Sequence, residues 1–181
     1  MYSRKVCGFA VLALAVCCHP VMAQTDSNEV STNRVAVHTD WSVFEHTSPP
    51  KRCWIVSQPE ETVNTRDGRV VSVRRGEIRL FVHFSPEEDV NGEVSFIGGY
   101  PFREGVDVKV DIGGESFSLF TFAEMAWTSS DDEDRKLVEA LKRGRKAVVT
   151  GVSSRGTKTK DTFSLSGITA AIEDAEKRCN G

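Results

Sequence analysis

Beyond the first 23 residues, three histidines, two cysteines and two acidic runs are the side chains with chemistry to offer. His38, His46 and His83 are not spaced as a His-Glu-x-x-His ligand pair, and no spare cysteines accompany them as metal ligands. A Gly-x-Ser-x-Gly elbow and a phosphate-binding loop are both missing. A Ser-His-Asp triad would have to be assembled from distant residues. It requires one of the three histidines within hydrogen-bond reach of a serine or carboxylate in a cleft. His83 stands on the mixed face of an amphipathic strand and reads as a satisfied surface or boundary histidine. The run Glu87-Glu88-Asp89-Val90-Asn91-Gly92 carries oxygen ligands and a glycine, but no distal Glu in register, so it falls short of a calcium loop. Asp131–Asp134 is explained by the first turn of a helix. The expectation is therefore no catalytic residue, no metal and no cofactor.

The cysteines point to structure. Arg4 and Lys5, the apolar run 9–16 and Val21-Met22-Ala23 form a secretory signal peptide over residues 1–23. The apolar run is too short to span a membrane, which takes roughly 20 residues. Leu14-Ala15-Val16-Cys17 departs from a lipobox at Val16, where a small residue is wanted. Cleavage leaves 158 of the 181 residues, with 21 basic against 26 acidic side chains and a formal net charge of −5. That balance argues against a nucleic-acid binder, and the mature chain is expected to carry no transmembrane span. Cys7, Cys17 and Cys18 depart with the signal peptide, leaving Cys53 and Cys179. An even pair in an exported chain is most simply one disulfide, and a redox pair would prefer a Cys-x-x-Cys spacing.

The basic residues Lys142, Arg143, Arg145, Lys146, Arg155, Lys158 and Lys160 crowd one stretch. They are a candidate partner surface for acidic lipid headgroups, polysaccharide or protein, set against ordinary solubility charge.

The elements that must position these groups are mainly β. Residues 24–37 read as a flexible polar leader, and residues 38–181 as a single domain. The domain begins near His38, and a first strand is expected where Trp41, Val43 and Glu45 alternate with Ser42 and Phe44. Pro49-Pro50 then breaks the chain before the strand Cys53–Ser57. Asp67-Gly68 turns between short strands at 62–65 and 69–74. In Glu77–Phe84, Ile78, Leu80, Val82 and Phe84 share one face, and Asn91-Gly92 is expected to turn the chain into 93–97. Val106, Val108, Val110 and Ile112 alternate with Asp107, Lys109 and Asp111. Gly113-Gly114 then makes a primed turn into 116–122. Ser130-Asp131-Asp132-Glu133 is a capping box for a helix closed by Gly144. Strands at 146–152 and 159–166 are joined at Arg155-Gly156, and a short amphipathic helix over 168–177 leads to Cys179. About eight or nine short strands with regular turn signals predict an antiparallel β-sandwich of immunoglobulin-like architecture. The immunoglobulin Cys…Trp…Cys spacing is absent, so that likeness is architectural.

A series of marks runs through this pattern. It comprises Trp41-Ser42-Val43-Phe44, Cys53-Trp54-Ile55-Val56-Ser57-Gln58-Pro59, Arg75-Gly76-Glu77-Ile78 and Gly98-Gly99-Tyr100-Pro101-Phe102. Ala126-Trp127, Arg155-Gly156-Thr157 and Asp161-Thr162-Phe163-Ser164-Leu165-Ser166-Gly167 follow, with Cys179 last. The series resembles the invasion-associated locus B family of alphaproteobacteria over about residues 38–179. The resemblance implies an exported, periplasmic or outer-membrane-associated β-sandwich protein without catalytic residues, linked to host-cell invasion, with Cys53 and Cys179 in a structural role.

Three readings of function follow. The first is a non-enzymatic envelope factor supporting invasion or envelope integrity, with an envelope or host-surface protein, lipid or glycan as partner. The second is a periplasmic carrier or chaperone for a peptide, lipid or glycan, gripped in an aromatic pocket near Trp54, Phe81 or Phe120. The third is a hydrolase with a cryptic histidine site.

Overall fold

The computed structural model describes residues 33–181. The expected signal peptide, 1–23, and residues 24–32 of the expected leader lie outside the described residues. Within them the chain forms β1 (Arg34–His38), β2 (Trp41–His46), β3 (Arg52–Ser57), β4 (Glu61–Arg66), β5 (Arg69–Val70) and β6 (Arg79–Ser85). Then come β7 (Val90–Ile97), β8 (Val108–Ile112), β9 (Glu115–Phe122), β10 (Met125–Trp127), α1 (Asp131–Arg143), β11 (Lys146–Val152), β12 (Lys158–Ser164) and α2 (Ile168–Asn180). The strands form one antiparallel sheet in the order β1-β2-β3-β6-β7-β10-β9-β8-β11-β12-β4-β5. The expected fold class, mainly β with two layers and two helices, is what the chain adopts. The two layers are the halves of this one sheet. Phe96 of β7 meets Phe163 of β12 edge-on with ring centroids 6.2 Å apart, and Trp41 Nε1 of β2 donates to the Ser164 carbonyl at 3.1 Å.

Alternation decides which residues enter the core. Trp41 and Val43, Cys53 and Ile55, Leu80 and Val82, and Val94 and Phe96 are buried on one half; Val108 and Val110, Ala147 and Val149, and Phe163 are buried on the other. The apolar stripe Ile168, Ala171, Ile172 and Ala175 buries α2 against β2 and β3. Cys179 at its end bonds Cys53, joining positions 126 residues apart in sequence. In α1 the Ser130 side chain accepts from the Glu133 N–H, as the capping box requires. Gly144 caps the other end with φ −75°, so packing rather than backbone freedom selects glycine there. A Cβ at that position would stand 2.5 Å from Ile112 Cγ2. Gly113 and Gly114, at φ +62° and +93°, make the expected turn from β8 to β9.

Several boundaries differ from expectation. The last residues of the expected leader, 34–37, belong to β1, which pairs with β2 through a bulge. Val35 and Ala36 pack on the core, and this burial outweighs the polar composition upstream. The expected first strand is β2, and a turn at Thr39, whose φ is +54°, joins it to the unexpected β1. Only Arg69 and Val70 of the expected strand 69–74 pair. Asn91-Gly92 is no turn: β7 starts at Val90, and Gly92 is the extra residue of a bulge opposite His83 and Phe84. The reversal is made earlier, by a single 3₁₀ turn at Pro86–Glu88. The C-terminal helix runs to Asn180, longer than its expected end at 177.

Two of the crossings between the halves take the chain out to β4 and β5 and back. β3 leads to β4 at the far side of the sheet through residues 58–60, where the Glu60 N–H bonds the Thr162 carbonyl. Residues 71–78 bring it back from β5 to β6. Arg75 lies on that return.

Candidate functional site

The strand period of two puts one row of aromatic side chains on the outward face of the β2-β3-β6-β7-β10-β9 half. Phe44 lies opposite Trp54 and stacks on it with centroids 5.5 Å apart. Trp54 lies opposite His83, and Phe81 stacks on the same imidazole at 5.3 Å. Phe81 faces Ser95, which lies opposite Trp127; Trp127 packs against Phe120 at 5.7 Å. Trp54, Phe81 and Phe120 thus share a face. They are arranged as a row of cross-strand neighbours.

Two histidines have partners. His38 Nε2 lies 3.0 Å from Asp174 Oδ2 of α2, and His83 Nε2 lies 3.1 Å from Ser95 Oγ. Asp174 also accepts from Arg178 Nε at 2.8 Å, and these contacts, that of His38 first, hold its carboxyl below the usual range. The two pairs sit on different strands, and among the described residues no carboxylate bonds the other ring nitrogen of His83. A neutral imidazole on a serine hydroxyl is half of a nucleophile pair. Ser95, however, is fully buried, so a substrate has no access to its oxygen in this conformation.

Burial lowers His83 to about 4. Its folded value lies below the unfolded one, so the unfolded chain binds the proton first. The contribution is complete above about pH 6.5 and is lost as pH falls toward about 4, roughly 3 kcal/mol in all. Replacing His83 with Gln should flatten the stability profile in that window, measured by urea unfolding at stepped pH. An unchanged slope would place the titration elsewhere.

The acidic run near β7 is engaged with a cation of the protein. Arg52 donates to both carboxylate oxygens of Glu88 at 2.9 and 2.8 Å, and Ser85 Oγ donates to Glu88 at 2.8 Å. Arg52 first, and Ser85 with it, hold the Glu88 carboxyl down at about 2. Among the described residues no group of three or more His, Cys, Asp or Glu side chains is placed to hold a metal ion. None of their helices is long and apolar enough to cross a membrane.

Part of the predicted basic surface is paired with acidic side chains. Lys142 and Arg143, at the end of α1, pair with Glu139, and Arg143 also with Glu115. Lys146 pairs with Glu60. Arg145 stands exposed just beyond α1, and Arg155 in the turn between β11 and β12. Lys158 and Lys160 line a groove of about 470 Å³ on the outward face of the other half, together with Lys109 of β8. Lys109 was not among the predicted residues, although its place on the polar phase of β8 was legible.

A further constellation escaped the sequence reading. Arg75 donates from Nη1 and Nη2 to the two carboxylate oxygens of Asp161, both at 2.7 Å, and from Nε and Nη2 to the Gly98 carbonyl at 3.0 and 2.7 Å. Its guanidinium carbon lies 4.9 Å from the Tyr100 ring centroid, and Tyr100 Oη bonds Thr159 Oγ1 at 2.6 Å. The Gly76 N–H bonds the Gly99 carbonyl at 2.8 Å. A Cβ on Gly99 would come within 2.8 Å of the Gly76 backbone, which explains the glycine at position 99. The available signal was Asp161 itself, on the inward phase of β12 between Thr159 and Phe163, where a carboxylate needs a partner.

Residues 41–176 match the model of a family described as Invasion associated locus B (IalB) protein. A solved structure, the invasion associated protein b of Bartonella henselae, superposes with a TM-score of 0.55 at 14% sequence identity. The alignment covers 81% of this chain and 98% of that one. At that identity the likeness speaks for the fold. No curated protein matches the chain.

Proposed function

Since the chain belongs to the invasion-associated locus B family, we propose that it is an exported, envelope-associated, non-enzymatic protein that supports host-cell invasion or the integrity of the envelope. The family match over residues 41–176 carries this reading. The signal-peptide pattern of residues 1–23 and the Cys53–Cys179 bridge support export, because such bridges persist in oxidising compartments. The burial of Ser95 supports a non-catalytic role.

A clean deletion in the native organism, scored in parallel for host-cell entry and detergent sensitivity, tests it. Loss of entry with an intact envelope assigns the role to invasion. A detergent-sensitive envelope, with entry falling in consequence, assigns it to the envelope. No change in either measurement overturns the reading. A copy carrying His83→Gln should restore the phenotype fully. Failure of that variant, present at normal abundance, would argue for chemistry at His83.

The row of outward aromatic rings from Phe44 to Phe120 favours a second reading, a carrier or chaperone for peptide, lipid or glycan. Thermal stabilisation by an envelope fraction would support it.

A further inference from the structure

The groove around Lys109, Lys158 and Lys160 departs from the rest of the surface in two respects. The chain is acidic overall, with a formal net charge of −3, yet the groove holds three ammonium groups and one carboxylate, Asp107. Lys109 donates to the Ser118 hydroxyl, while Lys158 and Lys160 have no acidic partner among the described residues. Between them the groove is lined by Val63, Val106 and Val152.

Exposed apolar side chains border this charge. Val70, 77% exposed, lies opposite Thr65, which lines the groove. On the other side Leu119 pairs with Val108, so the next residue, Phe120, lies beside Asp107; it is 48% exposed. Phe122, 75% exposed, is the next outward position of β9. The loop 103–106 is tied to this end of the sheet by the bond from the Arg103 N–H to the Val152 carbonyl. Lysines interleaved with exposed phenylalanine on one face are poorly suited to bulk water. They suit an interface that supplies phosphate and hydrocarbon together.

We propose that this face docks on an anionic phospholipid surface. Lys109, Lys158 and Lys160 meet the headgroup phosphates, and Phe120, Phe122 and Val70 enter the boundary beneath them. A soluble anion would leave those three apolar side chains exposed. A neutral glycan would leave the ammonium groups without counter-charge. The proposal deepens the envelope reading, by naming the surface the protein meets there, and rests on it for its biological setting.

The test is co-sedimentation of the protein, as exported by an expressing cell, with vesicles of phosphatidylcholine alone or of an equal mixture with phosphatidylglycerol. Binding to the mixture should exceed that to phosphatidylcholine by about tenfold or more and should collapse in about 1 M salt. The variant Lys109→Gln/Lys158→Gln/Lys160→Gln should lose about tenfold, and Phe120→Ser/Phe122→Ser should remove the blue shift of tryptophan emission that reports Trp127. Lys142→Gln/Arg145→Gln, on the other basic cluster, should bind as the parent does. The melting temperature of each variant shows that it is folded. Equal binding to both vesicles, parent-like binding by the triple lysine variant, or competition by millimolar inorganic phosphate would each overturn the inference. No vesicle binding alongside a deletion phenotype would overturn this inference and leave the envelope reading standing. Vesicle binding without a deletion phenotype would do the reverse.

Discussion

Replacing Arg75 with alanine should destabilise the fold by about 3–5 kcal/mol, because it strands the Asp161 carboxylate in the core. The two side chains are 6% and 0% exposed, so water cannot take the place of the guanidinium. At about 2–4 °C per kcal/mol for a domain of this size, the melting temperature should fall by roughly 6–20 °C. The loss should depend on pH. Burial pushes the Asp161 carboxyl up, and the Arg75 hydrogen bonds oppose that shift. Without Arg75 only burial acts, and the folded state holds the carboxyl proton more tightly than the unfolded chain does. Stability of the variant should therefore fall as pH rises above about 4, so the gap from the parent should be widest at neutral pH and narrow in acid. Arg75→Met with Asp161→Leu removes both charges together and should cost far less than either partner alone. Chemical unfolding of the parent, the two single variants and the double variant completes the cycle. Additive losses would show that the pair is not coupled.

Cys179→Ser should cost about 2–4 kcal/mol, or roughly 5–15 °C in melting temperature, while the circular dichroism remains that of a β protein. The chain-entropy model gives about 5 kcal/mol for so long a loop. The bridge ties α2 to β3 near both ends of the described chain, with a sequence separation of 126, so it restricts the unfolded state over most of the domain. Differential scanning calorimetry with and without reductant checks the assignment. Reductant should lower the parent to the level of the variant and leave the variant unmoved. A parent insensitive to reductant would mean that the bridge contributes nothing to stability.

Both effects bear on how much could be read from residues alone. The cystine was legible because the expected signal peptide holds the other three cysteines, and pairing the two beyond it admits one solution. The Arg75–Asp161 clamp was not, because Arg75 lies in the irregular return from β5 to β6 and offers no periodicity to place it. The histidine pairs divide in the same way. Strand alternation puts His83 on the face opposite Leu80 and Val82. Its hydroxyl partner, Ser95, is on the neighbouring strand β7, and only the register of that pairing brings the two together. The crowded basic stretch 142–160 suggested one surface. The fold gives Lys142, Arg143 and Lys146 to nearby glutamates and turns Lys158 and Lys160 toward Lys109, a residue about 50 positions earlier in a different hairpin.

By itself the sequence determined the β class, the Gly113-Gly114 hairpin, the capped helix α1, the disulfide and the family. Each of these rests on local pattern, on counting, or on a series of marks in order. Tertiary structure alone decided the strand order that sends β4 and β5 to the far edge, the clamp that secures the chain's return, and the lysines that share a groove. A period of two tells each side chain which face it joins, but it is the same whichever strand lies alongside. Neighbours were therefore settled by long-range packing of Trp41, Phe96 and Phe163 in the common core.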